Sequence, residues 1–328
     1  MIYLLSPTPG AETIMTVFSS FLFDAKASHE IINSYDQFYS TNFKSGDTIF
    51  ACVPVGDHTK NYDIIKFLKS KKLNINFILD HWHNKSDNFY DRQTNISYLP
   101  DNIFCIDGEM KKQLMSNSEI PSKILHVVGH PAIEYTAKKR LSDEQINKFK
   151  ISHGFEQSFY SLFLDPIKGK HINDIGYNEI DVVEFVLKCA ADLNLQTQIL
   201  IKPHPRTDPS LIKESIERLG YSQALLVNTD VNPISLVNAS DKVMGMTSIV
   251  LAHALALEKD TCSIQKGANQ LGKKRSNHHY EKILINDKQA MSNFLFTNTK
   301  KLLNYKLDYS GACDKIYNIS KQTVSEYK

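Results

Sequence analysis

The sequence predicts an α/β protein built as two successive domains, each a parallel sheet covered by helices, and three observations carry that prediction. Short continuous apolar runs alternate with amphipathic helical segments, the pattern of strands buried on both faces of a sheet. The alternation breaks once, over Glu134 to His153, and then restarts. The 328 residues exceed one comfortable core and suit two.

In the first half, Ile2–Leu5 reads as a buried strand, Pro7–Gly10 as a tight loop and Ala11–Phe23 as a helix. Thr48–Val53 is a second strand. Asn61–Lys71 sets Ile64, Ile65 and Leu68 on one helical face with lysines opposite. Asn74–Leu79, Ile103–Ile106 and Ile124–Val128 complete the strands, with a helix from Glu109 to about Met115. Ser142-Asp143-Glu144 has the composition of a helix start. The second half repeats the rhythm with strands at Tyr160–Leu164, Gln198–Ile201, Ala224–Val227, Lys242–Met246 and Thr261–Ile264. Asp165–Tyr177 reads as a polar loop and Glu179–Leu193 as a long helix. Asp208-Pro209 and Asn232-Pro233 each pair a capping side chain with proline in the first turn, and Gly220 stops the first of these helices. Helices are predicted after Thr247-Ser248, near Lys288–Phe296 and over Ala312–Tyr327. The predicted domains are residues 1–140 and 141–328, the last helix being placed to pack back on the first.

Bulk chemistry excludes several classes. Thirty-eight basic against 36 acidic residues leave a net charge of +2, so nothing attracts a polyanion and no nucleic-acid partner is expected. The five cysteines are odd in number, widely spaced and without a CxxC pair, which points to free core thiols in a reducing cytoplasm. The apolar part of the N-terminus is too short for a signal peptide. Ile249–Leu257 falls well short of the roughly 20 residues that span a bilayer. Cytoplasmic location with at most peripheral membrane contact is expected.

Two segments carry the chemistry. In Ile199-Leu200-Ile201-Lys202-Pro203-His204-Pro205-Arg206, a buried strand delivers Lys202, His204 and Arg206 to its carboxyl end, and the prolines favour extended backbone. In Met244-Gly245-Met246-Thr247-Ser248, glycine allows close approach, and hydroxyls with backbone N–H groups open a helix as an anion site does. Each has a plainer reading, as a stiff strand-to-helix connection and as a Ser/Thr helix cap. Together, at the carboxyl ends of strands in one sheet, they converge on a phosphate grip, with Asp165 joining them as a substrate-binding residue at another strand exit.

Lys-Pro-His-Pro after a strand, followed by Thr247-Ser248 at a helix start, resembles the nucleotide-binding half of HP-motif glycosyltransferases of the GT-B fold. That group holds bacterial sialyltransferases, the Kdo transferases of capsule synthesis and the CDP-glycerol transferases of teichoic acid synthesis. The resemblance spans the second half, including Asp241–Ser248, and touches the first half at Val127-Val128-Gly129-His130-Pro131. It implies two Rossmann-like domains facing each other across a cleft. It further implies inverting, metal-independent transfer of an acidic sugar, sialic-acid-like or Kdo, from a CMP-activated donor to a glycan or glycolipid acceptor. By the same resemblance His204, Pro205, Thr247 and Ser248 hold the donor phosphate and nucleotide, with Lys202 as an added charge.

In the sialyltransferases an acidic residue after a first-domain strand acts as base. Asp80 matches it, but His81-Trp82 replace the rest of that motif, so Asp107 and Glu12 stay as alternatives. Gly10 and Glu12 lie where this fold has its acceptor-facing loop. Asp80, His81 and His83 are too few for an expected metal site, no GxGxxG fingerprint marks a dinucleotide, and no cofactor is expected. Many UDP-sugar enzymes of this fold carry a ribose-binding glutamate where His253 stands here, which favours CMP or CDP. Lys273-Lys274-Arg275 and His278-His279 read as a solvated loop. The alternatives are a UDP-sugar or CDP-glycerol transferase, a nucleotide-sugar epimerase or hydrolase, and a non-catalytic glycan- or nucleotide-binding subunit.

Overall fold

The computed structural model describes the whole chain except residues 8, 53–57, 83–87, 92, 118–119, 168–169, 268–277, 298–308 and 327–328. Two compact units emerge. Met1–Tyr135 with Asp308–Lys328 form unit 1, and Thr136–Leu307 form unit 2.

Along the chain run β1 (Ile2–Leu5), α1 (Pro9–Asp24), β2 (His29–Ile32), α2 (Tyr35–Ser40), β3 (Thr48–Cys52), α3 (His58–Ser70) and β4 (Asn74–Ile78). A small antiparallel pair, β5 (Tyr90–Asp91) and β6 (Ile96–Ser97), precedes β7 (Asn102–Cys105), α4 (Gly108–Asn117), β8 (Leu125–Val127) and α5 (Pro131–Lys138). Then come α6 (Asp143–His153), β9 (Phe159–Phe163), α7 (Lys170–Ile175), α8 (Glu179–Asp192), β10 (Gln198–Lys202), α9 (Pro209–Leu219) and β11 (Ala224–Leu226). The chain continues through α10 (Pro233–Ala239), β12 (Lys242–Gly245), α11 (Val250–Ala256), β13 (Asp260–Ile264), β14 (Leu284–Ile285), α12 (Lys288–Phe296) and α13 (Ala312–Glu326).

Unit 1 holds a parallel sheet of order β2-β1-β3-β4-β7-β8. One face packs Leu4, Phe50, Ile78 and Phe104 against Ile14, Met15 and Phe18 of α1 and against Cys313 and Ile316 of α13. Each fully buried side chain of this size contributes roughly 1.5–3 kcal/mol. The return of the chain to this unit is tightly specified. Gly129 has φ +95°, and a Cβ there would meet the Tyr309 backbone at 3.1 Å. Beside it, the Glu134 carboxylate accepts the N–H groups of Gly311 and Ala312 at 2.9 and 2.8 Å, capping the start of α13.

Unit 2 holds a parallel sheet of order β11-β10-β9-β12-β13-β14, the 3-2-1-4-5-6 arrangement of Rossmann-like folds. Alternate residues leave opposite faces. Tyr160, Leu162, Ile199 and Ile201 pack under α8, α9 and α12, whereas Phe159, Phe163, Leu200 and Val243 pack under α10 and α11. Asp208 caps α9 by accepting the Ser210 N–H, and Gly220 closes that helix at φ 62°. Asn232 caps α10 in the same way, through the Ser235 N–H.

Several local expectations change. α1 begins at Pro9, so Gly10 is a helical residue and not part of an acceptor-facing loop. The edge strand β2, the helix α2 and the β5-β6 pair fall where no element is expected, and α7 forms inside the predicted loop Asp165–Tyr177. Val53, the expected last residue of its strand, lies outside the described residues. All five cysteines are free and buried, and burial pushes the Cys105 thiol up to about 12.

Candidate functional site

In unit 2 the strand register aligns the candidate residues. Phe163 of β9 lies opposite Lys202 of β10 and Gly245 of β12. Two residues further on, at one edge of the sheet, stand His204, Asp165 and Thr247. The sheet order reverses between β9 and β12, the position at which open α/β sheets bind ligands.

His204 is half-buried, and its Nδ1 accepts the Arg206 N–H at 3.1 Å. That bond fixes the tautomer with the proton on Nε2. Burial, and secondarily the Arg206 charge, hold the imidazole below its ordinary pKa. His204 therefore offers a neutral N–H donor. The prolines do not keep this stretch extended. Thr207 N–H donates to the His204 carbonyl at 2.8 Å, closing a four-residue turn with Pro205 in its second position, where proline is favoured. Pro205 and Arg206 are exposed on that turn.

Lys202 corrects the expected grip more sharply. Its side chain is buried, and its ammonium donates to the carbonyls of Asn228 at 2.8 Å and Thr229 at 2.7 Å. Burial lowers its pKa. A buried ammonium must be paired, and these carbonyls pair it, so Lys202 ties β10 to the loop after β11.

Thr247 and Asp165 pair with each other. The Thr247 N–H and hydroxyl both donate to Asp165 Oδ2, at 2.6 and 2.8 Å. Burial raises the Asp165 pKa, opposed by these bonds. The Thr247 donors assigned to a phosphate and the Asp165 acceptor assigned to substrate are thus engaged internally, as partly buried polar groups require. Ser248 Oγ accepts the Val250 N–H at 3.3 Å, leaving its own proton to donate, and its carbonyl accepts the Tyr280 hydroxyl at 2.9 Å. Sequence reasoning gave no hint of Tyr280. At Gly245 it is protein that needs the space: a Cβ would meet Leu251 at 2.9 Å and the Phe163 carbonyl at 3.3 Å.

His253 is buried in α11, with Nδ1 and the Thr136 hydroxyl 2.8 Å apart. It belongs to the packing of unit 2, and the donor preference drawn from it loses its basis. A cavity of about 450 Å³ elsewhere in unit 2, over Phe185, Leu187 and Leu219, contains none of these residues.

In unit 1, Asp80, Asp107 and His130 follow β4, β7 and β8, three neighbouring parallel strands. Asp80 and His81 are half-buried, whereas Trp82 is buried. The fully enclosed His130 has Nε2 3.1 Å from the Asp80 carbonyl, and its Nδ1 accepts the Ile133 N–H at 3.3 Å. Burial lowers its pKa to about 4, so at neutral pH a neutral ring donates through Nε2. Asp107 takes the Trp82 indole N–H on Oδ2 at 2.6 Å and the Met110 N–H on Oδ1 at 2.8 Å. Glu12 is exposed in the first turn of α1. His83 and Lys273-Lys274-Arg275 lie outside the described residues, as do the side chains of His278 and His279. Among the described residues no three metal-ligating side chains cluster, and no helix is long and apolar enough to cross a membrane.

The family described as capsule polysaccharide biosynthesis protein matches residues 74–264, which include the candidate residues of both sheets from Asp80 onwards. No curated protein matches the chain in sequence. Solved structures do match in fold. Anabaena Alr3699/HepE in complex with UDP and glucose is similar at TM-score 0.59 and 12% identity, over 99% of this chain and 98% of that one. The S. aureus MnaA–UDP structure matches at 0.63 and 12%, over 99% and 96%. The wall teichoic acid polymerase TagF matches at 0.57 and 12%, over 99% and 89%. At such identities the likeness is one of fold.

Proposed function

This chain belongs to the capsule polysaccharide biosynthesis protein family, and we propose that it acts there as a glycosyltransferase drawing on a pyrimidine nucleotide-activated sugar. The observation that carries the reading is the gathering of His204, Asp165 and Thr247, each two residues past the paired trio Lys202, Phe163 and Gly245, with Ser248 beside Thr247, at the order reversal of the unit 2 sheet. The His204 Nε2–H and the Ser248 hydroxyl donate to the donor phosphate. Thr247, locked by Asp165, sets the backbone between them. Hydrogen bonds aimed at the leaving phosphate stabilise the charge that develops on it as the glycosidic bond breaks. In unit 1, Asp80 removes the proton of the acceptor hydroxyl, and direct displacement inverts the anomeric centre. These steps call on no metal.

On the resemblance of the Lys202–Pro205 and Thr247-Ser248 segments to HP-motif enzymes, the favoured donor is a CMP-activated acidic sugar, sialic-acid-like or Kdo, and the acceptor a surface glycan or glycolipid. A UDP-sugar is the second reading. It is favoured by the inward position of His253, which removes the argument against it, and by the UDP held in two structures of similar fold. The reading places the protein in the cytoplasm with at most peripheral membrane contact.

A thermal-shift panel of CMP, CDP, UDP and GDP tests the donor, because binding to the native state alone raises the melting temperature. CMP should give the largest rise, and His204→Ala should abolish both the rise and transfer. Nucleotide release should require acceptor; release without it would assign an epimerase or hydrolase. Unchanged turnover in His204→Ala would remove the phosphate grip.

A further inference from the structure

The segment Asp80–Trp82 is held from the exits of two strands on one side of β4: β7 and, beyond it, β8. Leu79 still donates to the Phe104 carbonyl at 3.1 Å, so the chain leaves β4 in register with β7. His130, after β8, then holds the Asp80 carbonyl, and Asp107, after β7, holds the Trp82 indole. Tryptophan has one hydrogen-bond donor and, when buried, requires a partner for it. Asp107 supplies that partner at 2.6 Å while its other oxygen caps α4 through the Met110 N–H.

We propose that Asp107 is a positioning residue that acts through Trp82 to fix the backbone carrying Asp80, and is not itself the base of the reaction. The proposal rests on the reading of Asp80 as base. A base must turn a lone pair towards the substrate proton and then carry that proton. Both Asp107 oxygens already accept protein N–H groups, so one lone pair on each is committed to holding Trp82 and the start of α4. Asparagine can still accept the indole N–H through its carbonyl oxygen, giving up the Met110 N–H, whereas alanine accepts neither. A positioning role therefore tolerates Asp107→Asn, and a base does not.

Trp82 is the only tryptophan in the chain, so intrinsic fluorescence reports on this contact independently of turnover. Emission and acrylamide quenching would be measured for the full-length wild type, Asp107→Asn and Asp107→Ala. Acceptor-dependent nucleotide release would be measured for these, Asp80→Asn, Trp82→Phe and the Trp82→Phe/Asp107→Ala double variant. We expect Asp107→Ala to shift emission to the red and raise quenching, with Asp107→Asn close to wild type. Turnover should fall about 100-fold in Asp80→Asn. It should fall roughly tenfold in Asp107→Ala and in Trp82→Phe, with donor KM unchanged, and less than about fivefold in Asp107→Asn. The double variant should be no worse than the poorer single, because both remove one contact.

Loss in Asp107→Asn as deep as in Asp80→Asn, with wild-type fluorescence, would make Asp107 the base and overturn the proposal. Unchanged fluorescence in Asp107→Ala would overturn it too. If Asp107→Ala does not fold, a Trp82→Phe/Asp107→Asn double variant whose loss equals the two single losses combined would overturn it equally. Full activity in Asp80→Asn alongside the expected fluorescence shifts would remove the base reading while leaving the contact as described.

Discussion

One carboxylate oxygen of Asp165 accepts both the backbone N–H and the hydroxyl of Thr247, at 2.6 and 2.8 Å, across the reversal point of the unit 2 sheet. A buried carboxyl group thus fixes the start of the loop before α11. Asp165→Ala would leave two donors unpaired and should cost about 1–3 kcal/mol, and Thr247→Val about 1 kcal/mol. In a urea-denaturation cycle at pH 7 the two losses should be strongly sub-additive; simple additivity would show that the pair contributes nothing. Because burial raises the folded-state pKa of Asp165, it adds a proton-linked contribution, separate from the hydrogen bonds tested at pH 7, that is fully present below the ordinary carboxylate pKa. That contribution is lost as pH rises through the raised value. Asp165→Asn should remove that part of the pH dependence.

Lys202→Met separates a structural lysine from a phosphate ligand. The methionine keeps most of the buried stem but abandons the Asn228 and Thr229 carbonyls. Stability should fall by about 1–3 kcal/mol. Nucleotide affinity of the folded protein, measured by calorimetry, should stay within roughly threefold. A tenfold or greater loss, about 1.4 kcal/mol, would return Lys202 to the phosphate.

His130 should make the fold acid-sensitive. Its pKa is lowered to about 4 by burial, so between the ordinary histidine value of about 6.5 and that point the unfolded chain binds more protons. Stability is therefore complete above the upper value and declines as pH falls through the window, by at most about 3 kcal/mol. Denaturant titrations at pH 7 and pH 4.5 should show this decline in wild type and a smaller one in His130→Gln. Equal slopes would exclude His130 as the source.

The return of the chain to unit 1 should depend on Glu134 and Gly129. Glu134→Ala uncaps the first amides of α13 and should cost about 1–2 kcal/mol. Gly129→Ala forces a side chain into φ +95° against the Tyr309 backbone and should cost at least as much. In both variants amide exchange should speed up in α13 before it does in β4. Unchanged protection of α13 would show that other contacts hold it.

The strands were legible because continuous apolar runs such as Tyr160–Leu164 have few other uses in a chain of this length. β2 was not, since its first residues His29 and Glu30 are polar and it lies at the sheet edge. Cap residues Asp208, Asn232 and Ser142 were readable because a capping side chain bonds an amide two or three residues away. The partners of Asp165, Lys202, His253 and Trp82 lie 82, 26, 117 and 25 residues away, beyond any local pattern. The sequence therefore showed which polar residues reach the strand ends, but not which of them other side chains had already claimed.

Unit 1 is discontinuous, its sheet face being finished by Cys313 and Ile316 of α13. During synthesis the ribosome releases every strand of that sheet long before this last helix, and the whole of unit 2 emerges in between. The domain begun first is completed last. Until then it exposes a greasy surface that a chaperone would recognise, and a gene fragment ending before α13 would yield insoluble product even though all six strands are encoded.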